Sequence, residues 1–238
     1  MRNAEKVVCV WPGTKKVTIT EDSPQTPFPD FDSEQLALLE KHYQVKRTGF
    51  DRVAGRVAEV VDIKPMDDYR YGYRLWIDAE TFLMLRSVMS DMNDRIIEQV
   101  MFTDIDYVDA LPDVLFQTSL EGERLEWVVG ADHKMPAADS DIPGVKESSL
   151  PDGFSQISSL IMKLPDDLVA RRVMYSDGLA SVSIYISESG DMDAHGLSEM
   201  GGVHAFGVTR GNWHATIVGE VPVATVKMMG ANLQLADI

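Results

Sequence analysis

The sequence predicts an α+β protein that is mostly antiparallel β-sheet and is divided into two domains. Apolar runs alternate with short polar turns through residues 71–105, which is typical of consecutive antiparallel strands. Residues 130–149 are rich in Asp, Pro, Ala, Ser and Gly without an apolar period, and they predict a linker. Apolar residues at helical spacing in 221–235 predict one C-terminal helix. We therefore expect domains at 1–129 and 150–238.

The first domain is predicted to begin with a hairpin and a short helix. Ser33 is a suitable N-cap for that helix, and Leu36 and Leu39 would lie on one side of it. In chain order, the expected elements are strands 7–11 and 16–20, helix 34–42, and strands 43–47 and 51–64.

A three-strand meander follows. The expected elements are strands 71–77, 82–88 and 96–105, then a short helix at 109–115 and an extended piece at 125–129. In the first strand Leu75 and Trp76 belong to opposite faces, and all three strands carry large side chains on both faces. No helical pattern nearby covers either face, so the sheet is expected to cover a lipid, a partner chain or another part of the fold.

The second domain is predicted to be an antiparallel sheet with one terminal helix. Ser176-Asp177-Gly178 predicts a hairpin turn, because glycine accepts a positive φ. Pro222 suits the first turn of the helix. The five expected strands are 154–163, 168–175, 181–186, 203–209 and 213–219.

Charge and hydropathy exclude several classes of function. A net charge of −16 and a pI near 4.6 argue against nucleic-acid binding, which needs clustered cations. One local basic patch stands out against this charge, at Lys41, His42, Lys46, Arg47 and Arg52. No apolar run is long enough to predict a transmembrane helix. The N-terminus as written has no apolar signal-peptide core.

Residues that carry chemistry do not form a catalytic pattern. Residues 191–196 resemble the opening of a calcium loop, but its twelfth position is Gly202 rather than Glu. His195, His204 and His214 lack the spacing of a zinc site. Cys9 is the single cysteine, so no internal disulfide can form. We therefore predict a binding protein without metal or cofactor.

Six segments, in order along the chain, resemble one known family. They resemble the half-barrel of the LolA/LolB-type carrier fold, and most closely the sigma-E factor regulatory proteins RseB and MucB. The segments are Phe50–Arg56, Tyr73–Asp78, Met101–Ile105, Leu150–Phe154, Tyr175–Ser181 and Val218–Pro222.

The resemblance implies a non-enzymatic negative regulator of the sigma-E envelope-stress response. Proteins of this kind bind the periplasmic part of an RseA/MucA-type anti-sigma factor and shield it from proteolysis. They are thought to sense lipopolysaccharide or acyl chains. The implied location is the periplasm, and the implied fold is a LolA-like half-barrel followed by a small C-terminal domain. Because the family has an upstream segment, we expect the half-barrel to be incomplete at its N-terminus, with exposed edges that favour a homo-oligomer.

Candidate binding residues follow from the same resemblance. Since side chains alternate along a strand, only about half of the lipid candidates can line one surface. The lipid-cavity candidates are Trp11, Val17, Ile19, Leu75, Trp76, Leu83, Met84, Met101 and Phe102. The partner-binding candidates are Phe154, Tyr175, Leu179 and Tyr185.

A LolA-type carrier of lipids or lipoproteins is the alternative. It would share the half-barrel but would not need the second domain, so the C-terminal matches favour the regulator. An enzyme is the third hypothesis, and no set of residues supports it.

Overall fold

The chain forms two compact units, each of which combines separate stretches of sequence. The smaller contains Met1–Pro27 and Ile105–His133, and the larger contains Phe28–Asp104 and Lys134–Ile238. The computed structural model describes residues 7–11, 16–20, 39–108, 110, 112, 126–129, 141–163, 168–190 and 194–236.

A three-stranded sheet belongs to the smaller unit. Strand β1 (Val7–Trp11) pairs antiparallel with β2 (Lys16–Thr20), which confirms the predicted hairpin. Strand β8 (Glu126–Val129) adds to β2 in parallel. The extended piece was predicted at this position, but its partner lies far away in sequence, and a short apolar run does not reveal such a pairing.

A five-stranded antiparallel meander opens the larger unit, with its strands in chain order. The strands are β3 (Tyr43–Val53), β4 (Arg56–Pro65), β5 (Gly72–Asp78), β6 (Met84–Ser90) and β7 (Ile96–Met101). The predicted meander is confirmed, although β6 begins two residues later than expected and β7 ends four residues earlier.

The expected strands at 43–47 and 51–64 are wrong in their division. The chain turns instead at Ala54-Gly55, where φ is 48° and 78°. Two positive φ values in a row form the tight turn that suits a two-residue hairpin, and Ala-Gly is a weak sequence signal for it. The gap expected after Arg47 is only a bulge between Arg47 and Gly49.

Two predicted helices fall largely outside the described residues. Of 34–42, the structure describes a helical Leu39 followed by a turn. Of 109–115, only residues 110 and 112 are described.

A six-stranded antiparallel sheet and one helix form the rest of the larger unit. The spatial order is β12-β13-β14-β11-β10-β9. The elements are β9 (Ser155–Lys163), β10 (Val169–Ser176), β11 (Ser181–Glu188), β12 (Gly196–Met200), β13 (Val203–Arg210), β14 (Trp213–Gly219) and α1 (Val223–Asn232).

The prediction of five strands was one short, because β12 lies where part of a loop was expected. All five residues of β12 are exposed, so the strand shows no apolar alternation that could reveal it. Pairing with β13, from Gly196↔Gly207 to Met200↔Val203, places it at the sheet edge.

Helix α1 covers one face of this sheet. Val182, Ile184 and Ile186 alternate along β11 and are completely buried. Val226 and Met229 of α1 pack into the same core. The fold class is therefore confirmed: mostly antiparallel β-sheet with one C-terminal helix in the described part of the chain.

Candidate functional site

Arg70 lies at a junction between the two sheets of the larger unit. It precedes β5, and its side chain is completely buried. Its Nε donates a hydrogen bond to Asp177 Oδ2 at 2.6 Å, which joins the five-stranded sheet to the β10–β11 turn. Its other nitrogens donate to the Asp67 carboxylate and to the Asp152 carbonyl. The guanidinium thus bridges three segments of the chain.

Asp177 is held by its own turn. Its Oδ1 accepts hydrogen bonds from the backbone N–H groups of Leu179 and Ala180, at 2.9 and 2.8 Å. Gly178 has φ of 101°, as expected for the glycine of this turn. A carboxylate fixed in this way presents its second oxygen, Oδ2, to Arg70.

Tyr43 closes the cluster from the start of β3. Its hydroxyl donates to Asp177 Oδ2 at 3.0 Å. Burial, and next the negative charge of Asp177, raise the pKa of Tyr43 well above its ordinary value, so the hydroxyl remains a donor. The Arg70 guanidinium also lies over the rings of Tyr43 and Phe154, with its carbon 5.8 and 5.2 Å from their centroids. We call Arg70, Asp177 and Tyr43 the junction cluster.

Further contacts extend the junction. Thr225 Oγ1 donates to the Tyr69 carbonyl at 2.8 Å, so α1 also holds the loop before β5. The Tyr71 hydroxyl donates to the Gly202 carbonyl at 3.4 Å. Burial raises the pKa of Tyr71 to about 12, so this donor also stays protonated at neutral pH. Leu179 packs against the apolar cluster of Leu39, Tyr43, Ile63 and Leu75.

The opposite face of the five-stranded sheet carries a cleft of about 520 Å³. Trp76, Arg74 and Arg86 line it. The Arg86 guanidinium carbon lies 4.1 Å from the centroid of the Trp76 ring, and the Trp76 Nε1–H donates to Asp51 Oδ2 at 3.0 Å. Arg74 makes two hydrogen bonds to Asp62, which hold the pKa of that carboxyl below its usual range. Lys64 and the carboxylates of Asp62, Asp91 and Asp94 line it as well, so the cleft combines an aromatic ring with charged groups of both signs.

The predicted lipid candidates are distributed over several surfaces. Trp76 lines the cleft, whereas Leu75 is buried on the opposite face, in the apolar core against which Leu179 packs. Met84 packs at the border of that core, and Phe102 is half-buried. Leu83 and Met101 are exposed. Trp11, Val17 and Ile19 lie on β1 and β2, and their side chains are outside the described part of the structure.

The predicted partner candidates have three different environments. Phe154 and Tyr175 are buried in the core beneath α1, which is the structural role that a sheet residue usually has. Leu179 lies at the junction. Tyr185 is half-buried, with the Arg172 guanidinium carbon 5.8 Å from its ring centroid. Their role in binding a partner stays a prediction.

Sequence reasoning missed the residues that define the junction cluster and the cleft. Arg70 and Asp177 are 107 positions apart in the chain, so no local pattern links them. Arg74 and Arg86 lie on neighbouring strands, and only the register between β5 and β6 brings Trp76 opposite Arg86. The alternation of β5 was the available signal, because it placed Arg74 and Trp76 on one face.

Family models match both halves of the chain. The MucB/RseB N-terminal domain matches residues 1–120, and the MucB/RseB C-terminal domain matches residues 143–234. The chain belongs to the MucB/RseB family. This confirms the resemblance found in the sequence, and the family consists of regulatory proteins rather than enzymes.

Individual relatives agree with the family models. The chain is 30% identical to the sigma-E factor regulatory protein RseB of Haemophilus influenzae over 79% of its own length, but it spans only 58% of that protein. It is 31% identical to the sigma factor AlgU regulatory protein MucB of Pseudomonas aeruginosa, covering 90% of this chain and 66% of the relative. A crystal structure of MucB in complex with MucA(peri) matches with a TM-score of 0.69 and 26% identity, over 87% of this chain and 73% of that one.

The described residues lack two kinds of feature. None of their helices is both long and apolar enough to cross a membrane. Within the same residues, no group of three or more His, Cys, Asp or Glu side chains is placed to hold a metal ion.

Proposed function

We propose that this chain binds the periplasmic segment of a MucA/RseA-type anti-sigma factor, shields it from proteolysis and so restrains a sigma-E-type envelope-stress response. The observation that carries the proposal is the similarity to MucB in its complex with MucA(peri), which extends over 87% of this chain. Both family domains are matched, so the proposal does not depend on one half alone. The periplasm is the location that this function requires.

The junction cluster supports this function physically. A partner that contacts both sheets binds well only if their relative position is set beforehand, because ordering on binding costs affinity. Arg70 and Asp177 are fully buried and satisfied by several hydrogen bonds each, so they fix that position. We therefore expect the partner to need both sheets in their joined arrangement.

We also propose that lipopolysaccharide or a free acyl chain is the signal. The cleft over Trp76 supports this, because the Trp76 ring suits an apolar part of a ligand and the Arg86 guanidinium over that ring suits an anionic part. Such a ligand would release the partner only if it binds the partner-free arrangement more tightly.

The test is a calorimetric titration of this chain with a purified periplasmic segment of a MucA-type protein. The titration is repeated with lipopolysaccharide and with a neutral detergent as the matched control. Saturable binding that lipopolysaccharide weakens, and detergent does not, is the expected result. Saturable binding that lipopolysaccharide leaves unchanged would contradict the proposal that lipid is the signal, but not the proposal that the chain binds the anti-sigma factor.

Two further outcomes would contradict the proposal itself. Absence of binding to the segment, while the chain still binds lipopolysaccharide, would favour the lipid carrier. Absence of both would leave neither function standing for this chain. Circular dichroism on the same sample must show a folded β-protein before either result counts.

A further inference from the structure

Strand β3 carries Lys46, Arg47 and Arg52 of the basic patch in an otherwise acidic chain. Residues 41–56 contain five Lys and Arg and one Asp, whereas the whole chain has 22 Lys and Arg against 38 Asp and Glu. Neither the junction cluster nor the cleft uses Lys46, Arg47 or Arg52. The function proposed above therefore does not account for these cations.

The same strand is an exposed edge. In the described part of the chain β3 pairs with β4 alone, and every residue from Gln44 to Arg52 is exposed. Phe50 is 72% exposed and Val45 is 44% exposed. An edge strand directs about half of its backbone N–H and C=O groups away from its neighbour, where a further strand can bond to them.

The register gives one face of β3 a regular pattern. Val45, Arg47, Phe50 and Arg52 pair with Ile63, Val61, Glu59 and Val57, which alternate along β4 and so share a face. The bulge after Arg47 keeps Phe50 and Arg52 on the same face as Val45 and Arg47. That face therefore presents apolar and basic side chains in alternation. Arg47 contacts Glu59 at 3.2 Å, yet its side chain is 79% exposed and remains accessible.

We propose that the β3 edge binds an extended acidic segment of another polypeptide by strand addition. The added strand would place apolar and acidic side chains in alternation beside Val45, Arg47, Phe50 and Arg52. Cross-strand pairs of these types are favourable, while backbone hydrogen bonds provide the sequence-independent part of the affinity. The inference goes beyond the proposed function, because the occupant need not be the anti-sigma factor.

Self-pairing, membrane binding and edge protection each account for the β3 edge less well. A second copy pairing β3 with β3 would bring Arg47 and Arg52 close to the same basic residues, and like charges across strands repel. An anionic membrane could attract the cations, but it would leave the outward backbone groups without partner strands. Lys and a bulge can also serve only to prevent pairing at an edge. The alternation with Val45 and Phe50 on the same face argues against that purely protective role.

The experiment uses the full chain and a synthetic probe. The probe is the capped peptide Thr-Val-Thr-Glu-Thr-Val-Thr-Glu-Thr, whose binding is measured by fluorescence anisotropy. One control peptide replaces Glu by Lys, and another is N-methylated at every residue, so that neither of its edges can donate backbone hydrogen bonds. Vesicles of anionic phospholipid are tested in parallel by co-sedimentation.

We expect saturable binding of the acidic peptide and at least tenfold weaker binding of both controls. The double variant R47E/R52E should weaken binding about tenfold or more, and raised salt should weaken it in the wild type. The matched control is K227E, a charge reversal at an exposed lysine on α1 far along the sequence, which should leave binding unchanged.

Several outcomes would overturn the proposal. Equal binding of the Lys peptide would show that charge does not select the occupant, and equal binding of the N-methylated peptide would exclude strand addition. Sedimentation with vesicles without peptide binding would mean that the patch serves a membrane surface. Self-association of R47E/R52E, again without peptide binding by the wild type, would mean that the cations only protect the edge.

Discussion

Replacement of Arg70 by methionine should lower the free energy of unfolding by about 3–5 kcal/mol. Methionine fills much of the same space, but it leaves the buried Asp177 carboxylate without a cation, and uncompensated buried charges cost this much. Three hydrogen bonds to Asp177 would remain, from Tyr43, Leu179 and Ala180. They place the expected loss towards the lower end of that range.

The reciprocal change, Asp177→Asn, should cost less, about 1–3 kcal/mol. Arg70 would keep the Asp67 carboxylate and the Asp152 carbonyl, so its charge would still have a partner. The double variant R70M/D177N should be more stable than the sum of the single losses predicts, by about 0.5–3 kcal/mol, because the isolated charges disappear together.

The free energy of unfolding of all three variants is measured by urea unfolding, with tryptophan fluorescence as the signal. Arg95→Met is the matched control, since Arg95 also pairs with a carboxylate but is 77% exposed. Surface pairs of this kind contribute about 0–1 kcal/mol. If R70M lost no more stability than R95M, the junction cluster would not be what holds the two sheets together.

Three more predictions concern α1 and the loop before it. Met229→Ala removes a completely buried side chain and should cost about 2–5 kcal/mol, seen as a lower Tm; an unchanged Tm would contradict the packing of α1 on the sheet. Gly230→Ala would place Cβ 2.4 Å from Phe206 Cδ1, so we expect the free energy of unfolding to fall by about 1–3 kcal/mol despite the better helix propensity of alanine. A rise in the free energy of unfolding would contradict the close approach. Burial, and next the charge of Glu98, raise the pKa of the Glu220 carboxyl in the folded protein. The unfolded chain therefore loses this proton first, and stability falls as pH rises from the unfolded pKa of about 4.3 through the folded pKa. Glu220→Gln should therefore raise Tm at pH 7 and leave it unchanged below about pH 4, and equal effects at both pH values would contradict this.

Strands and turns could be predicted where local chemistry decides them. The meander within residues 71–105 and the Ser176-Asp177-Gly178 turn each depend on neighbouring residues, and both are confirmed. The turn at Ala54-Gly55 and strand β12 were missed, because neither has a marked residue pattern. In both places backbone pairing with a neighbouring strand determines the structure.

The candidate sites were harder to predict, since they depend on contacts across the fold. Trp76 was among the lipid candidates, but its position over the cleft beside Arg86 follows from strand register. Arg70 was not a candidate at all, because a lone arginine after an Asp-rich turn usually lies in solvent. Its complete burial depends on a partner that comes from the other sheet.

The chemistry of the junction cluster bears on how a ligand could control this protein. A small shift between the sheets would separate Arg70 from Asp177 while both remain buried, which is costly. Complete separation would return both charges to water, so the charges themselves oppose it much less. Its cost would come from the other junction contacts, among them the packing of Leu179 and the hydrogen bonds of Thr225 and Tyr71. Intermediate positions are therefore the least favourable, so movement from the joined to a separated arrangement would have to cross a barrier. A ligand that prefers one arrangement by a few kcal/mol would then switch the molecule rather than deform it gradually. Because R70M/D177N lacks the penalty on intermediate positions, the distance between labels on its two sheets should take intermediate values at partial saturation with ligand, whereas the wild type should show two separate distances.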